Sequence, residues 1–443
     1  MPVRLRNPEQ TEIKEADLPF DLTRGAPQKI AIIGGGISGL SAAWLLSGHH
    51  QVTLYEASPR LGGHARTVMA GRRGDVAVDT GFIVFNYANY PHLTALFRDL
   101  DVPVQRSDMS FGVSLGNGRV EFALRSANAL FAQRSNLLHP GFHRMIRDIL
   151  RFNAQAAHAA EGRADLTIEG LIAKLGLGAR FRDHYLYPIC GAIWSTPAHD
   201  IGAFPAETLL RFLGNHALMS KGGQHQWWTV TGGSVTYVNR LAAALAARGV
   251  ALRPATPVRA VSRSGAGVTV QTQGVGESFD HVIFACHADQ ALALLADPSA
   301  EEIAALGAVR FQDNRAVLHS DPVVMPRRRA CWSSWIYRAD DPRAGRAVGV
   351  SYWMNRLQSL PEDDPLFVSL NPGAVIDPAR IYDETTFRHP VFDQAAIDAQ
   401  ARLRAMQGAR QTWFAGAWLR NGFHEDGFAS AARIARQLLP AKV

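Results

Sequence analysis

Three consecutive glycines, Gly34, Gly35 and Gly36, separate the short apolar run Lys29-Ile30-Ala31-Ile32-Ile33 from a helix-compatible stretch, Leu40 to Leu46, with a fourth glycine at Gly39. The β-branched residues before the turn predict a strand, and the leucines and alanines after it predict a helix. In this spacing Gly34 permits the tight turn, Gly36 lets the backbone approach a pyrophosphate, and Gly39 lets the helix pack against the strand. Ile37 and Ser38 then lie in the first turn of a helix whose free N–H groups point toward phosphate oxygens. A second predicted strand, Gln51 to Tyr55, ends at Glu56, 20 residues beyond Gly36, where a carboxylate accepts hydrogen bonds from an adenosine ribose. Strand, turn, helix, strand and acid together predict a dinucleotide site. Ile30 to Leu46 is uncharged over 17 residues, but its four glycines and its change from strand to helix pattern argue against a membrane span.

A chain of 443 residues predicts two domains, and 47% hydrophobic against 19% charged residues predicts packed cores rather than a disordered tail. The formal charge is +7 and is carried by arginine, since lysine occurs only at positions 14, 29, 174, 221 and 442. Arginine pairs bidentately with phosphate and carboxylate, so an anionic lipid surface, an acidic substrate or the dinucleotide diphosphate are the expected partners. No basic block interleaved with aromatics resembles a nucleic-acid module. Cys190, Cys286 and Cys331 form no CxxC pair, which speaks against a disulfide framework or zinc site and for a reducing compartment. No His/Cys/Asp cluster has metal-ligand spacing. Residues 1–28 are polar and lack the layout of a secretory signal, so a loose N-terminal arm is expected.

Arg60-Leu61-Gly62-Gly63-His64-Ala65-Arg66-Thr67 separates flavin from nicotinamide dinucleotides. It resembles the second glycine motif of the flavin amine oxidase and phytoene desaturase superfamily, which follows the ribose-binding acid and covers the diphosphate and flavin. His64 stands where those enzymes usually have Arg. Together with Asp79-Thr80-Gly81-Phe82-Ile83-Val84-Phe85-Asn86, Tyr352 to Gln358, and Gly422-Phe423-His424-Glu425-Asp426-Gly427, it resembles most a bacterial group associated with lipid methyltransferases. That group includes a flavin-dependent acyl-lipid desaturase of furan fatty acid synthesis.

The resemblance implies an α/β fold: a Rossmann-type FAD-binding domain from residues 29–88, 226–310 and 405–443, interleaved with an α+β substrate-binding domain, amine-oxidase-like, from 89–225 and 311–404. Residues 89–225 read mainly helical, as an inserted cap. The resemblance further implies noncovalent FAD held by Gly34, Gly36, Ile37, Ser38, Gly39, Glu56, Ala57, Arg60, Gly62, Gly63 and His64. Gly81, Phe82, Ile83, Val258, Gly416, Asp426, Gly427 and Phe428 complete that set. The N-terminus of the last helix would then point at the pyrimidine edge of the flavin and favour negative charge there.

Flavin chemistry belongs to the cofactor, so few protein groups are required. The ionisable candidates for proton transfer are His424, Glu425, Asp426, His64 and Lys221. Each has a structural alternative: the two acids precede a helix they could cap, His64 follows a glycine turn, and Lys221 lies in a Ser-Lys-Gly-Gly loop. Between residues 121 and 152, Arg125, Arg134, Arg144, Arg147 and Arg151 alternate with leucines and phenylalanines, a pattern that suits an anionic bilayer or a solvated cap helix.

What the resemblance implies for function is desaturation of a long acyl chain, in a phospholipid with a methyl branch beside its alkene. Hydride would pass to flavin N5 and a proton to a base or water, leaving a conjugated diene, and dioxygen would reoxidise the flavin to give hydrogen peroxide. Two alternatives stand: an oxidase of a small amine, or a flavin-bound accessory protein of a lipid methyltransferase. The expected location is the cytoplasm, at the inner face of the membrane if the substrate is a phospholipid.

Overall fold

The apolar run that precedes the glycines becomes the middle of a parallel sheet, because both of its faces are covered. The computed structural model describes residues 26–163, 165–194, 201–215, 225–339 and 349–439. In chain order the elements that build the site are β1 (Lys29–Ile33), α1 (Ile37–Leu46), β2 (Gln51–Tyr55), α2 (Pro91–Asp99), β3 (Phe111–Leu115), β4 (Val120–Ala123), α3 (Pro140–Ala160), α4 (Val235–Ala247), β5 (Ala251–Arg253), β6 (His281–Phe284), β7 (Phe311–His319), β8 (Trp335–Ala339), β9 (Gly349–Trp353), β10 (Phe367–Leu370), β11 (Ile381–Pro390), β12 (Thr412–Phe414) and α5 (His424–Leu438).

The first sheet has the order β5-β2-β1-β6-β12, all parallel, so stretches far apart in sequence lie side by side. Side chains alternate across β1: Ile30 and Ile32 enter one core with α1, α4 and α5, while Ala31 and Ile33 enter another on the opposite face. Burial on both faces explains why these strands read as continuous apolar runs.

The second sheet has the order β11-β7-β10-β9-β8-β3-β4 and is antiparallel except where β8 meets β3. Phe142, Met145 and Phe152 of α3 share a core with Val113, Leu318, Val350 and Val368 of this sheet. β3 and β4 interrupt the mainly helical stretch of residues 89–225 with a hairpin that was not expected there. Their signal is in the sequence: Phe111, Val113 and Leu115 alternate, and Gly116-Asn117-Gly118, all with φ between 56° and 83°, turn the hairpin. A small sheet of Val84–Phe85, Trp227–Val230 and Val104–Ser107 also joins residues on both sides of the boundaries expected at 88 and 225. Cys190, Cys286 and Cys331 are free.

Candidate active site

At the C-terminal ends of β1 and β2 two glycine turns lie backbone on backbone. Gly34 adopts φ +115° and donates its N–H to Tyr55 O at 2.8 Å. Gly62 N donates to Gly35 O at 2.8 Å, and a Cβ built on Gly63 would stand 3.0 Å from the Gly36 Cα. A Cβ on Gly39 would lie 1.8 Å from the Gly34 carbonyl oxygen, so no larger residue fits there. On the far side of α1, a Cβ on Gly427 would come within 2.8 Å of Ile37 Cγ2 and Ser38 Oγ. The N-terminal turns of α1 and α5 therefore meet, bringing two positive dipole ends to one place.

Glu56 stands beside this junction. Its Oε2 accepts from Gly35 N at 2.6 Å and its Oε1 from Ser58 N at 2.7 Å, which fixes the carboxylate and leaves each oxygen a further lone pair for ribose hydroxyls. Backbone bonds from Thr256 N to Glu56 O and from Ala255 N to Ser58 O carry the chain past exposed Ala57 toward Val258, which packs on the core around Tyr55. Arg60 donates to Gly63 O at 2.8 Å and Ala65 O at 3.2 Å, so it braces the second turn. Gly81 lies against the His64 carbonyl, which accepts from Phe82 N at 2.8 Å, and Ile83 is buried beside them. Gly416 N donates to Ser430 Oγ at 2.9 Å within α5, and Phe428 is buried in the core of the same helix. A backbone cradle that side chains would fill, a fixed ribose acceptor and two convergent helix N-termini fit a flavin dinucleotide.

A cavity of about 720 Å³ adjoins this cradle. His64, Gly81, Phe82 and His424 line one end, Tyr185, Ile189, Trp335, Tyr352, Leu370 and Phe387 line the walls, and Leu124 and Arg125 line it where it comes to the surface. Of the three consecutive ionisable residues expected near the flavin, only His424 faces this space. Its ring stacks on Phe82 with centroids 3.9 Å apart, and its Nε2 lies 2.6 Å from the Tyr237 hydroxyl. Burial pushes its pKa down to about 3, so the imidazole is neutral.

Both neighbouring acids are turned to capping. Glu425 Oε1 accepts from His92 N and Nδ1, at 3.0 and 2.6 Å, and its Oε2 accepts from Leu93 N at 3.0 Å, so it caps α2. Asp426 Oδ2 accepts from Phe423 N at 3.0 Å and Asn421 N at 3.3 Å, closing the capping box of α5 itself, and burial raises it to about 6. Neither carboxylate lines the cavity. Lys221 lies outside the described residues.

His64 does not reach back to its own turn. Its ring packs edge-on against Phe387 at 5.0 Å and beside His389 at 5.5 Å, both on β11, with His287 at 6.0 Å. Burial, and then the neighbouring histidines, hold it well below the usual imidazole range. Sequence reasoning missed His389, which also lines the cavity. A chain of bonds fixes its tautomer: Arg315 N donates to Asn371 Oδ1 at 2.9 Å, Asn371 Nδ2 to Asn314 Oδ1 at 2.7 Å, and Asn314 Nδ2 to His389 Nδ1 at 2.9 Å. The first donor is a backbone N–H, so every amide orientation follows, and neutral His389 carries its proton on Nε2. Asp79, in the stretch Asp79 to Asn86, is a second residue that sequence reasoning missed. It is fully buried, accepts from Thr67 Oγ1, Ser234 N and Ser234 Oγ, and ties the second glycine motif to the start of α4.

Among the described residues there is no group of three or more His, Cys, Asp or Glu that could hold a metal ion. The sequence profile of the flavin containing amine oxidoreductases matches residues 37–341. An L-amino-acid oxidase of Gloydius blomhoffii is 41% identical over 78 residues, which is 16% of this chain and 16% of that protein. A crystal structure of a fatty acid isomerase from P. acnes that produces CLA aligns over 92% of this chain and 98% of its own, with TM-score 0.66 and 16% identity. A putrescine oxidase redesigned in its cofactor binding aligns over 93% of this chain and 99% of its own, with TM-score 0.69 and 17% identity. With the profile covering more than half of the sequence, the chain belongs to the flavin containing amine oxidoreductase family and is a flavin-dependent oxidoreductase with FAD as its cofactor.

Proposed function

We propose that this enzyme desaturates a long acyl chain, with a methyl-branched unsaturated fatty acyl group of a phospholipid as the substrate. The observation that carries the reading is the cavity, whose walls are aromatic and aliphatic and whose surface end presents an arginine beside a leucine. A largely apolar cavity with Arg125 where it meets the surface suits an acyl chain with an anionic head, and its lining carboxylate, Asp108, is engaged by Ser334 Oγ at 2.9 Å and Arg356 at 3.9 Å. The fatty acid isomerase from P. acnes, whose fold this chain shares, supports the same substrate class.

FAD supplies the two-electron oxidation by accepting a hydride when it is bound. The chain's own residues position the substrate. Tyr352, Phe387 and Leu370 press the acyl chain and keep water out, and the Nε2–H of His389 offers a directed donor beside Phe387. His424, whose Nε2 meets the Tyr237 hydroxyl, is placed to relay the proton released with the hydride rather than to keep it, since burial favours its neutral form.

Mass spectrometry of fatty acids from cells with and without the protein tests this reading. A branched monoene that accumulates without it and a conjugated diene that appears with it are the expected result. Unchanged acyl profiles together with peroxide release on a panel of amines would turn the assignment to an amine oxidase, which the aromatic wall of Tyr185, Trp335 and Tyr352 also suits.

A further inference from the structure

The cavity reaches the surface at Leu124 and Arg125, and among the described residues the chain that follows carries the densest set of exposed leucines. Leu138 is 88% exposed, Leu150 64%, Leu137 46% and Leu124 39%. Among the described residues, exposed large hydrophobics elsewhere, such as Val275 and Val375, have no such company along the chain. Leu137 is tied to α3 by the bond between its carbonyl and His143 Nε2 at 2.7 Å. On α3, residues 143, 147, 150, 151 and 154 are exposed and share one face at helical spacing, opposite buried Phe142, Met145 and Phe152. Leu150 therefore stands on the outer face among Arg147 and Arg151.

Charge on this segment has one sign. Between residues 119 and 160 the acids are Glu121 and Asp148, and both are buried. Glu121 is consumed by Arg328 and by the backbone N–H groups of Arg327 and Arg328, and Asp148 accepts from Gly178 N. Arg125, Arg134, Arg147 and Arg151 thus face solvent with no exposed carboxylate on the same segment. Solvated basic helices are ordinary, and so are single exposed leucines. Leucines that are 46 to 88% exposed, placed among arginines on the segment that runs on from the cavity mouth at Leu124 and Arg125, are not required by the fold.

We infer that the face formed by residues 124–151 rests on an anionic lipid bilayer, with its leucines in the acyl boundary and its arginines at the phosphates, so that the cavity opens into the membrane rather than into water. Charge complementarity selects this occupant over a neutral surface, and leucine burial selects it over a nucleic acid or an acidic peptide. Among the described residues no helix is long and apolar enough to cross a membrane, so the contact is peripheral. The inference rests on the acyl-lipid reading for its purpose, but it is tested without measuring turnover.

The test is sedimentation of the FAD-loaded full chain with vesicles of phosphatidylcholine alone or of phosphatidylcholine with phosphatidylglycerol, at low and high salt. The expected result is sedimentation with the anionic vesicles only, reversed by salt. Arg147→Gln with Arg151→Gln should weaken partitioning about fivefold per charge. Leu138→Ser with Leu150→Ser should weaken it at least as much, whereas Val375→Ser should leave it unchanged; flavin absorbance per polypeptide confirms folding of each variant. Equal binding to both vesicle types, binding to neither, or variants that bind like the parent would overturn the inference. Binding without oxidation of any vesicle lipid would count against the acyl reading and leave the surface standing. Oxidation of detergent-dispersed lipid without sedimentation would overturn the surface alone.

Discussion

The two ends of the cavity are made of different material. At the cofactor end the contacts are backbone: Gly34, Gly36, Gly39, Gly62 and Gly427 remove side chains so that two turns and two helix N-termini can close on one ligand. At the substrate end the contacts are side chains, brought by segments as far apart as Leu124, Tyr185, Trp335, Tyr352 and Phe387. Backbone recognition tolerates almost no substitution and binds a fixed shape. Side-chain walls tolerate exchange and set which substrate enters. The division accounts for a family that keeps one cofactor while its members act on different molecules.

The largest effect should follow from disturbing the backbone end. Gly39→Ala places a methyl group 1.8 Å from the Gly34 carbonyl, and the purified variant should retain less than about a tenth of the parent's flavin per polypeptide. Flavin content equal to the parent would break the claim that this turn holds the cofactor. Next comes the side-chain end, where Ile189→Trp puts a larger ring into the cavity wall and narrows the space for an acyl chain. With flavin content unchanged, kcat/KM for a long acyl substrate should fall about tenfold or more, and less for a shorter chain.

Glu425 sharpens the comparison, because it sits in the flavin-facing motif yet bonds only to α2. Glu425→Ala should cost about 1–2 kcal/mol of stability in chemical unfolding while leaving kcat per folded enzyme within about twofold. A loss of a hundredfold in kcat at unchanged stability would mean that the carboxylate acts in the chemistry.

The smallest effect is on pH dependence. His64, His287, His389 and His424 are all held below the ordinary imidazole value, mainly by burial, with His287 and His389 near 4 and His424 near 3. A depressed pKa contributes stability that is present above the unfolded value and is lost as pH falls through the folded one. Asp79 and Asp426 oppose this: burial raises both to about 6, so their contribution grows as pH falls from 6 toward 4. Four histidines against two aspartates predict a net decline in Tm from pH 6.5 to 4. A Tm that is flat or rising over that window would show that the histidine cluster is not dry.

The cofactor end was legible in the sequence because its signals are local. Gly34 to Gly39, Glu56, and Gly62-Gly63 each act within a few residues of the turn they shape. The last helix was also legible, but its start moved forward to His424, since Asp426 caps from inside the helix rather than before it. The uses of the ionisable residues were not legible. Glu425 meets α2 across 332 residues of sequence, and the His389 tautomer depends on Asn314, Asn371 and a backbone N–H brought together by sheet pairing. The hairpin of β3 and β4 could have been found from alternation and its glycine turn, but helical spacing on either side outweighed a short pattern.

The most direct test of the central claim is anaerobic mixing of the FAD-loaded enzyme with phospholipid carrying methyl-branched monounsaturated chains, followed by absorbance of the oxidised flavin. Oxidation of the acyl chain predicts that this absorbance bleaches within the mixing series and returns when dioxygen is admitted. Oxidised absorbance that persists with the lipid, in a preparation that a small amine does bleach, would contradict it.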